Sequence, residues 1–416
     1  MAQKSIREYH AKQLISQNLP TGSTTWHFSG ALVSEHETLG EIPDGPLIVK
    51  SDQLFGKRGK NGLIYKAKDK KDALTWIDKH MNAKTIIKKN ENDEGVEGIL
   101  THFIVEPYVE HTDEYYLAIK TSRTSNTVYF SDAGGMDIEE NWEQVKMIEV
   151  PFSYTDEYKL VLEKELADES IDIRTFVITI YELFIKLDFA YLEINPFAIS
   201  ERGVIPLDLV ARLDSTAEYE QEASWIVDNI PIPFPSPFGS SESESEIAID
   251  RLDAKTGASL KLKILNPDGR IWLLVAGGGA SVIFADTVAD LGFVDELGNY
   301  GEYSGNPSTD ETAAYCTELF KTMFASSASN KVLIIGGGIA NFTDIAATFK
   351  GVIKAIQQFK DEFIQQNIPI HVRRGGPRHK EGLAEIKKAV EAMGIPIDVN
   401  GPEMHMTRIV KNVLKK

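Results

Sequence analysis

The chain has 416 residues, too many for one ordinary hydrophobic core, which predicts two or three domains. Lys and Arg number 44 and Asp and Glu 62, a formal charge of −18 that argues against non-specific nucleic-acid binding. Local basic clusters such as Lys57-Arg58-Gly59-Lys60 and Arg373-Arg374 can still meet small anions. A single cysteine, Cys316, excludes an internal disulfide, and no run approaches the roughly 20 apolar residues of a membrane helix. The N-terminal segment has no apolar stretch behind its charges, so a cytoplasmic protein that binds neither membrane nor nucleic acid is expected.

In the N-terminal half, apolar spacing predicts helices over 6–15, 71–80, 158–166 and 175–187. Strands are predicted over 47–50, 103–107, 114–119, 127–131, 191–199 and 204–210. That mixture reads as an α+β or mixed α/β domain over residues 1–230. The alternating prolines of Pro231–Gly239 and the Ser/Glu run of Ser240–Glu246 predict an extended, solvated linker over 231–246.

The third segment, 247–416, is more regular. A helix over 312–320 makes Cys316 a packed thiol. Apolar runs at 270–276, 331–335 and 368–372 each end in glycines and lead into helical patterns at 281–291, 342–359 and 380–393. Strand, glycine turn and helix, three times over, is the α/β signature of a doubly wound parallel sheet, whose ligands sit outside the carboxyl ends of the strands.

Three strand-end loops fall there: Gly277–Ser281, Gly336–Thr343 and Arg373–Pro377. Glycines allow close backbone approach, and a helix N-terminus offers free N–H donors to an anion. Asn341 is placed as an N-cap with Thr343 in the first helical turn, Arg374 can fork a carboxylate, and Asn299–Gly305 is a further glycine-bearing loop. Any one of these loops is adequately explained as an ordinary turn; three together with an arginine favour a polyanion site. Neither glycine run has the third glycine of a dinucleotide fingerprint, and a Walker A sequence is absent.

Upstream, a tight hairpin at Glu201–Gly203 would pair positions whose numbers sum to about 403 or 404, as those of Asn195 and Asp208 do. An amide oxygen and a carboxylate side by side suit magnesium; the plainer alternative is that both face water. Lys50 with Lys57–Lys60 reads as a phosphate clamp or as an exposed basic turn. Phe103–Val109 with Glu114 reads as a hinge that could hold a purine edge.

Taken together, Val49–Leu54, Lys57–Lys60, Phe103–Pro107, Leu192–Pro196 and Leu207–Leu209 resemble the ATP-grasp half of the ATP-citrate lyase family. Leu252–Lys261, Trp272–Ser281, Asn299–Gly305, Ala340–Thr343 and Val372–Pro377 resemble its citrate-binding half. The resemblance implies an ATP-grasp fold followed by a flavodoxin-like, CoA-ligase-type domain. It implies that Lys50, Arg58 and Gly59 contact ATP phosphates, that Pro107, Val109 and Glu114 hold adenine and ribose, and that Asn195 and Asp208 carry Mg2+. Ser304, Gly305, Asn341, Thr343 and Arg374 would bind citrate, while Asp253, Thr256 and Ala258 would form a structural metal loop. Phe359 stands where some relatives have a citrate-contacting tyrosine.

The implied chemistry is a relay from ATP to a partner histidine, then to citrate and to CoA, which is bound largely by the partner. A large subunit carrying the phosphohistidine and the lyase would complete a hetero-oligomer. His405, in a helical stretch, is accordingly expected to pack or to cap. The alternatives are a citryl-CoA or succinyl-CoA synthetase subunit, the second disfavoured by the citrate-type motifs, and a non-catalytic scaffold, disfavoured by the presence of Lys50, Asn195, Asp208 and Arg374.

Overall fold

The computed structural model describes residues 3–20, 26–88, 90, 93–135, 138, 142–152, 156–200, 203–240 and 242–414. The chain divides into two compact units, Met1–Ser241 and Glu242–Lys416, a division inside the stretch expected to be a linker.

The first unit contains two main antiparallel sheets. One has five strands in the order Thr38–Gly40, Ala31–Ser34, His102–Pro107, Leu47–Ser51, Ile64–Ala67. The helix Lys70–His80 packs on it through Ala73 and Ile77 and is capped by Asp69, which accepts from the Asp72 N–H at 2.9 Å. The larger sheet runs Gln3–Ile6, Leu209–Asp214, Phe189–Ser200, Tyr115–Thr121, Ser125–Ser131, Lys146–Pro151, with Gly203–Pro206 also paired to Phe189–Ser200. The helix Ile171–Lys186 covers it because Phe176, Val177, Ile180, Leu183 and Phe184 recur at helical spacing and form one buried stripe.

The strand expected over 204–210 is two strands, Gly203–Pro206 and Leu209–Asp214. Pro206 has no N–H to continue a ladder, and the Leu207 carbonyl turns inward to accept from Lys12 and Lys50 at 3.1 and 2.7 Å. Around this break the register keeps the sum of 403, from Phe197↔Pro206 to Ser200↔Gly203 and again from Tyr191↔Arg212 to Ile194↔Leu209. The expected turn residues Glu201 and Arg202 lie outside the described residues, as does Ser241 of the expected linker.

The 231–246 segment is not a free, solvated linker. Ile230–Pro231 pairs with Ile226–Val227, and Phe238 is buried against Gly98, where a β-carbon would meet its ring at 2.6 Å. The Ser/Glu run starts a helix, Glu244–Asp253, through a capping box between Ser243 and Glu246. Glu246 is buried and also accepts from the Ile264 N–H at 3.0 Å. A polar composition and a capping box look alike until the helix is seen to pack.

The second unit is built on a parallel sheet, in the order Ile271–Ala276, Val332–Gly337, Ile370–Arg373, Ile397–Asn400; the last strand, short and half exposed, is additional to the three expected. Alternate residues of these strands enter two cores. Trp272, Leu274, Leu333 and Ile335 pack with helices Thr309–Ala325, Ile345–Gln358 and His379–Ala392; Ile271, Leu273, Val275 and Ile334 pack with Gly278–Asp290 and Arg408–Leu414. Covering on both faces is what makes the strand sequences continuously apolar.

The segment expected to be a glycine loop, Asn299–Gly305, is mostly a strand, Asn299–Ser304, antiparallel to Ser259–Ile264. Its burial alternates, with Asn299, Gly301 and Tyr303 inward, and the Asn299 side chain bonds the Leu273 N–H and C=O at 2.8 and 2.9 Å. Among the described residues no helix is long and apolar enough to cross a membrane.

Replacing Ser243 by Ala removes the capping box and is expected to lower the unfolding free energy of the second unit by about 1 kcal/mol, with Ser243→Asp recovering most of it, as read from denaturant midpoints.

Candidate functional site

Between the sheets of the first unit lies a cluster of charges shut away from water. Glu8 opens the helix Glu8–Asn18 and Lys12 follows one turn later, so both project from one side. Lys50 comes from the strand Leu47–Ser51, Glu106 from His102–Pro107, and Arg58 from the turn after Leu47–Ser51. Glu8 meets Lys12 at 2.7 Å, Lys50 at 2.6 Å and Arg58 at 2.6 Å. Lys12 also binds Glu106, Arg58 also binds Asp208, and the Arg58 Nη1 donates to the Ser51 carbonyl at 3.0 Å.

Glu8, Lys50 and Arg58 are each held in the ionised form by their neighbours. Burial alone would raise the pKa of Glu8, but Arg58, Lys12 and Lys50 overrule it and hold the carboxyl well below the usual carboxylate range. Burial opposes the charge on Lys50, yet Glu106, Glu8 and Asp208 push its pKa above the ordinary lysine value. Asp208 and Glu8 do the same for Arg58. Asp52, which accepts from the Glu8 and Tyr9 N–H groups at 2.8 and 3.0 Å, is pushed up to about 6 by burial and then by the nearby Glu8 charge.

Next to Glu106 opens an apolar cavity of about 260 Å3, lined by Phe28, Pro107, Val109, Ile205 and Leu207 among others. Lys50, Arg58, Asp208, Pro107 and Val109 are therefore brought into one neighbourhood. Gly59 lies exposed in the turn after Arg58. Glu114 is paired with His111 at 3.0 Å. Asn195 and Asp208 are backbone partners, the Asn195 N–H donating to the Asp208 carbonyl at 3.1 Å. Their side chains do not meet as expected: Asn195 Oδ1 accepts from the Gly135 N–H at 2.8 Å, while Asp208 takes Arg58. The backbone keeps the two residues opposite each other across the break at Leu207, and it is the side-chain oxygens that go to different partners.

Sequence reasoning missed Glu8, Lys12 and the role of Glu106. The i,i+4 spacing of Glu8 and Lys12 was visible, but such pairs are usually surface pairs, and burial at 4% and 0% is a tertiary fact.

In the second unit a crevice of about 310 Å3 opens at the carboxyl ends of Ile271–Ala276 and Val332–Gly337, lined by Gly277, Tyr303, Ser304, Gly305, Thr343 and Arg374 among others. The helix Gly278–Asp290 begins there behind Gly277 (φ 101°), with no side-chain cap on its N–H groups. Of the paired arginines, Arg373 is committed to the carbonyls of Gly337, Met404 and Pro402. Arg374 is buried, donates through Nη1 to the Gly338 carbonyl at 2.6 Å, and lines the crevice. Desolvation lowers its pKa, so an anion brought to it relieves an unfavourable charge. Gly337 must be glycine: φ is 151° and a β-carbon would come within 2.5 Å of Arg374 Nη1.

Four expectations change in this unit. Asn341 is not the N-cap and Thr343 is not in the first turn; the helix is Ile345–Gln358, capped by Asp344, which accepts from the Ala347 N–H at 3.0 Å. Asn341 is exposed, two residues before the crevice residue Thr343. Phe359 sits at the far end of that 14-residue helix, about 21 Å along its axis from the crevice end, among Phe320, Phe324 and Phe363. His405 precedes the final helix instead of lying in one; it is exposed and its Nδ1 accepts from the Thr407 N–H at 3.4 Å.

Asp253 accepts from the Leu260 N–H at 2.7 Å and pairs with Lys261, whose ammonium already supplies a cation. Thr256 bonds Glu311 and accepts from the Ala258 N–H at 3.1 Å, so these three residues form a self-satisfied turn. Cys316 is buried in Thr309–Ala325, where burial pushes its thiol pKa up. Among the described residues no three His, Cys, Asp or Glu side chains gather as a metal centre.

Two antiparallel sheets around a charge cluster and an apolar cavity, followed in sequence by a doubly wound parallel unit with an arginine in its strand-end crevice, are the parts of an ATP-grasp enzyme with a second, parallel-sheet domain. The family model of the ATP-citrate synthase ATP-grasp domain matches residues 2–225, and that of the ATP citrate lyase citrate-binding region matches 240–416. The chain is 42% identical to ATP-citrate synthase alpha chain protein 2 of Arabidopsis thaliana, covering 100% of this chain and 99% of that one. It is 38% identical to human ATP-citrate synthase over 99% of this chain and 38% of that protein. The structure of ATP citrate lyase from Methanothrix soehngenii in complex with citrate and coenzyme A matches with a TM-score of 0.87 at 40% identity, over 100% of both chains. The chain belongs to the ATP-citrate synthase (ATP citrate lyase) family.

Glu8→Ala leaves three buried cations short of a counter-charge and is expected to destabilise the first unit by about 3–5 kcal/mol, measured by denaturant unfolding. Asp52 has its folded pKa raised, so its contribution to stability is full below its unfolded value and is lost as pH rises through about 6. Asp52→Asn should remove that fall in unfolding free energy between about pH 4 and 6; an unchanged pH profile would show that Asp52 is not its source.

Proposed function

We propose that this chain is the ATP- and citrate-binding subunit of a two-subunit ATP-citrate lyase, found in the cytoplasm. The observation that carries the reading is Arg374, buried yet lining an open crevice at the strand ends, beside the uncapped start of Gly278–Asp290. An arginine fork and a helix N-terminus together favour a multiply charged acid. Ser304, Gly305 and Thr343 line the same crevice and complete the citrate site, and Asn341, exposed two residues before Thr343, would join it on binding.

In the first unit the adenine ring occupies the apolar cavity against Pro107 and Val109, with the ribose toward Glu114. Lys50, Arg58 and the backbone at Gly59 receive the phosphates. Asp208 offers a carboxylate, and Asn195 an amide oxygen only on giving up the Gly135 N–H; turned to a common ion they would hold Mg2+, which would supply charge neutralisation for phosphoryl transfer. The loop of Asp253, Thr256 and Ala258 would hold at most a structural cation.

Phosphoryl transfer moves the ATP γ-phosphoryl group to a histidine nitrogen of the partner. That P–N bond is then exchanged for a P–O bond to a citrate carboxylate. Here Arg374 and the helix N-terminus hold the acid and balance the charge on its acyl phosphate. The CoA thiolate, held largely by the partner, then forms a C–S bond as phosphate departs, and the partner cleaves citryl-CoA to acetyl-CoA and oxaloacetate. Two findings favour a partner for these steps. The plant relatives named as alpha chains match end to end, whereas the chain covers only 38% of the human protein. The related Methanosaeta concilii enzyme has been captured with (3S)-citryl-CoA.

Citrate at about 100 times its dissociation constant should add about 2.7 kcal/mol to stability, a rise of roughly 2–4 °C in Tm, and Arg374→Ala should abolish it. An equal rise with succinate would move the chain to the succinyl-CoA synthetase reading.

A further inference from the structure

Two tyrosines stand side by side in the second unit, Tyr303 and Tyr315, with ring centroids 5.8 Å apart. Both are buried, but their hydroxyls differ. The Tyr315 hydroxyl donates to the Lys261 carbonyl at 2.8 Å. The Tyr303 hydroxyl is enclosed and has no hydrogen-bond partner among the described residues. An unpaired buried hydroxyl costs free energy and calls for a reason.

Its position suggests the reason. Tyr303 is the penultimate residue of Asn299–Ser304, is 2% exposed, and lines the same crevice as Arg374. The neighbouring polar side chains have partners inside the protein: Ser304 donates to Glu302 at 3.1 Å and Arg374 to the Gly338 carbonyl. Tyr303 therefore adds a donor that nothing in the unit consumes.

We propose that the Tyr303 hydroxyl is a specificity-determining contact for the acid bound in this crevice, donating to one carboxylate while Arg374 forks another. The inference rests on the citrate reading above and adds a residue to it. Burial raises the phenol pKa and outweighs the opposing charge of Arg374, so it stays protonated and remains a donor at neutral pH. A tricarboxylate can satisfy the guanidinium and the phenol together. A short dicarboxylate seated on Arg374 leaves the phenol unpaired, and a site built around a buried donor rejects the ligand that cannot reach it.

Tyr303→Phe in the full chain, with citrate and succinate titrated calorimetrically, tests this. The variant should bind citrate roughly ten- to a hundredfold more weakly, and its preference for citrate over succinate should shrink by the same factor. Its ligand-free Tm should be unchanged or higher, because the orphaned hydroxyl is gone. Wild-type citrate affinity in Tyr303→Phe, with Arg374→Ala unable to bind, would overturn the role of Tyr303 alone. A clear fall in the ligand-free Tm would overturn it too, by showing that the hydroxyl is satisfied within the protein. Failure of the wild-type chain to bind citrate would bring down the citrate reading and this inference together.

Discussion

Glu8 is a carboxylate removed from water and surrounded by Lys12, Lys50 and Arg58. Much of the first unit is arranged around that fact. A lone buried carboxylate would take up a proton, and three buried cations without it would repel each other apart. Together they form a charged core that ties the first helix to the strand Leu47–Ser51 and to the broken strand at Leu207, whose carbonyl receives both lysines. The geometry that would hold phosphates is thus kept open by internal counter-ions. Phosphate oxygens arriving at Lys50 and Arg58 would meet groups already charged and already oriented, the condition under which electrostatic stabilisation is strongest.

The second unit solves a related problem with fewer charges. One arginine ends a strand and the next follows it, and the fold gives them different work. Arg373 spends its donors on three backbone carbonyls and fastens the strand end to the segment around Met404. Arg374 gives Nη1 to the Gly338 carbonyl and lines the crevice. Arg373 closes the strand while Arg374 is the first residue beyond it; both reach the Gly337–Gly338 turn, but only Arg374 lines the crevice. The parallel sheet places this pair beside glycine-rich strand ends and an uncapped helix start, as open α/β sheets commonly do at their binding edge.

Much of this was legible without coordinates. Period and glycine punctuation located three of the four parallel strands and their helices, because strands buried on both faces must be continuously apolar. The hairpin sum of 403 survives in the observed register. What was not legible shares a cause. Ser243–Glu246 looked solvated because a capping box is polar by composition. Asn299–Ser304 looked like a loop because its glycine and asparagine are unusual in strands. They are tolerated here because Asn299 pairs across to Leu273 and Gly301 lies tight against the neighbouring strand.

By itself the sequence determined the two-part organisation, the fold class of each part, the family, and which residue types stand at the strand ends. Those properties follow from periodicity and from motifs that are local along the chain. Tertiary structure alone decided which charges are buried, that Glu8 and Lys12 stand with Lys50 and Arg58, that Asn195 and Asp208 turn their oxygens to different partners, and that Phe359 lies a helix length from the crevice while Tyr303 lies within it. Burial and side-chain direction depend on residues far apart in sequence, so a pattern read along the chain can name the participants but cannot say which of them meet.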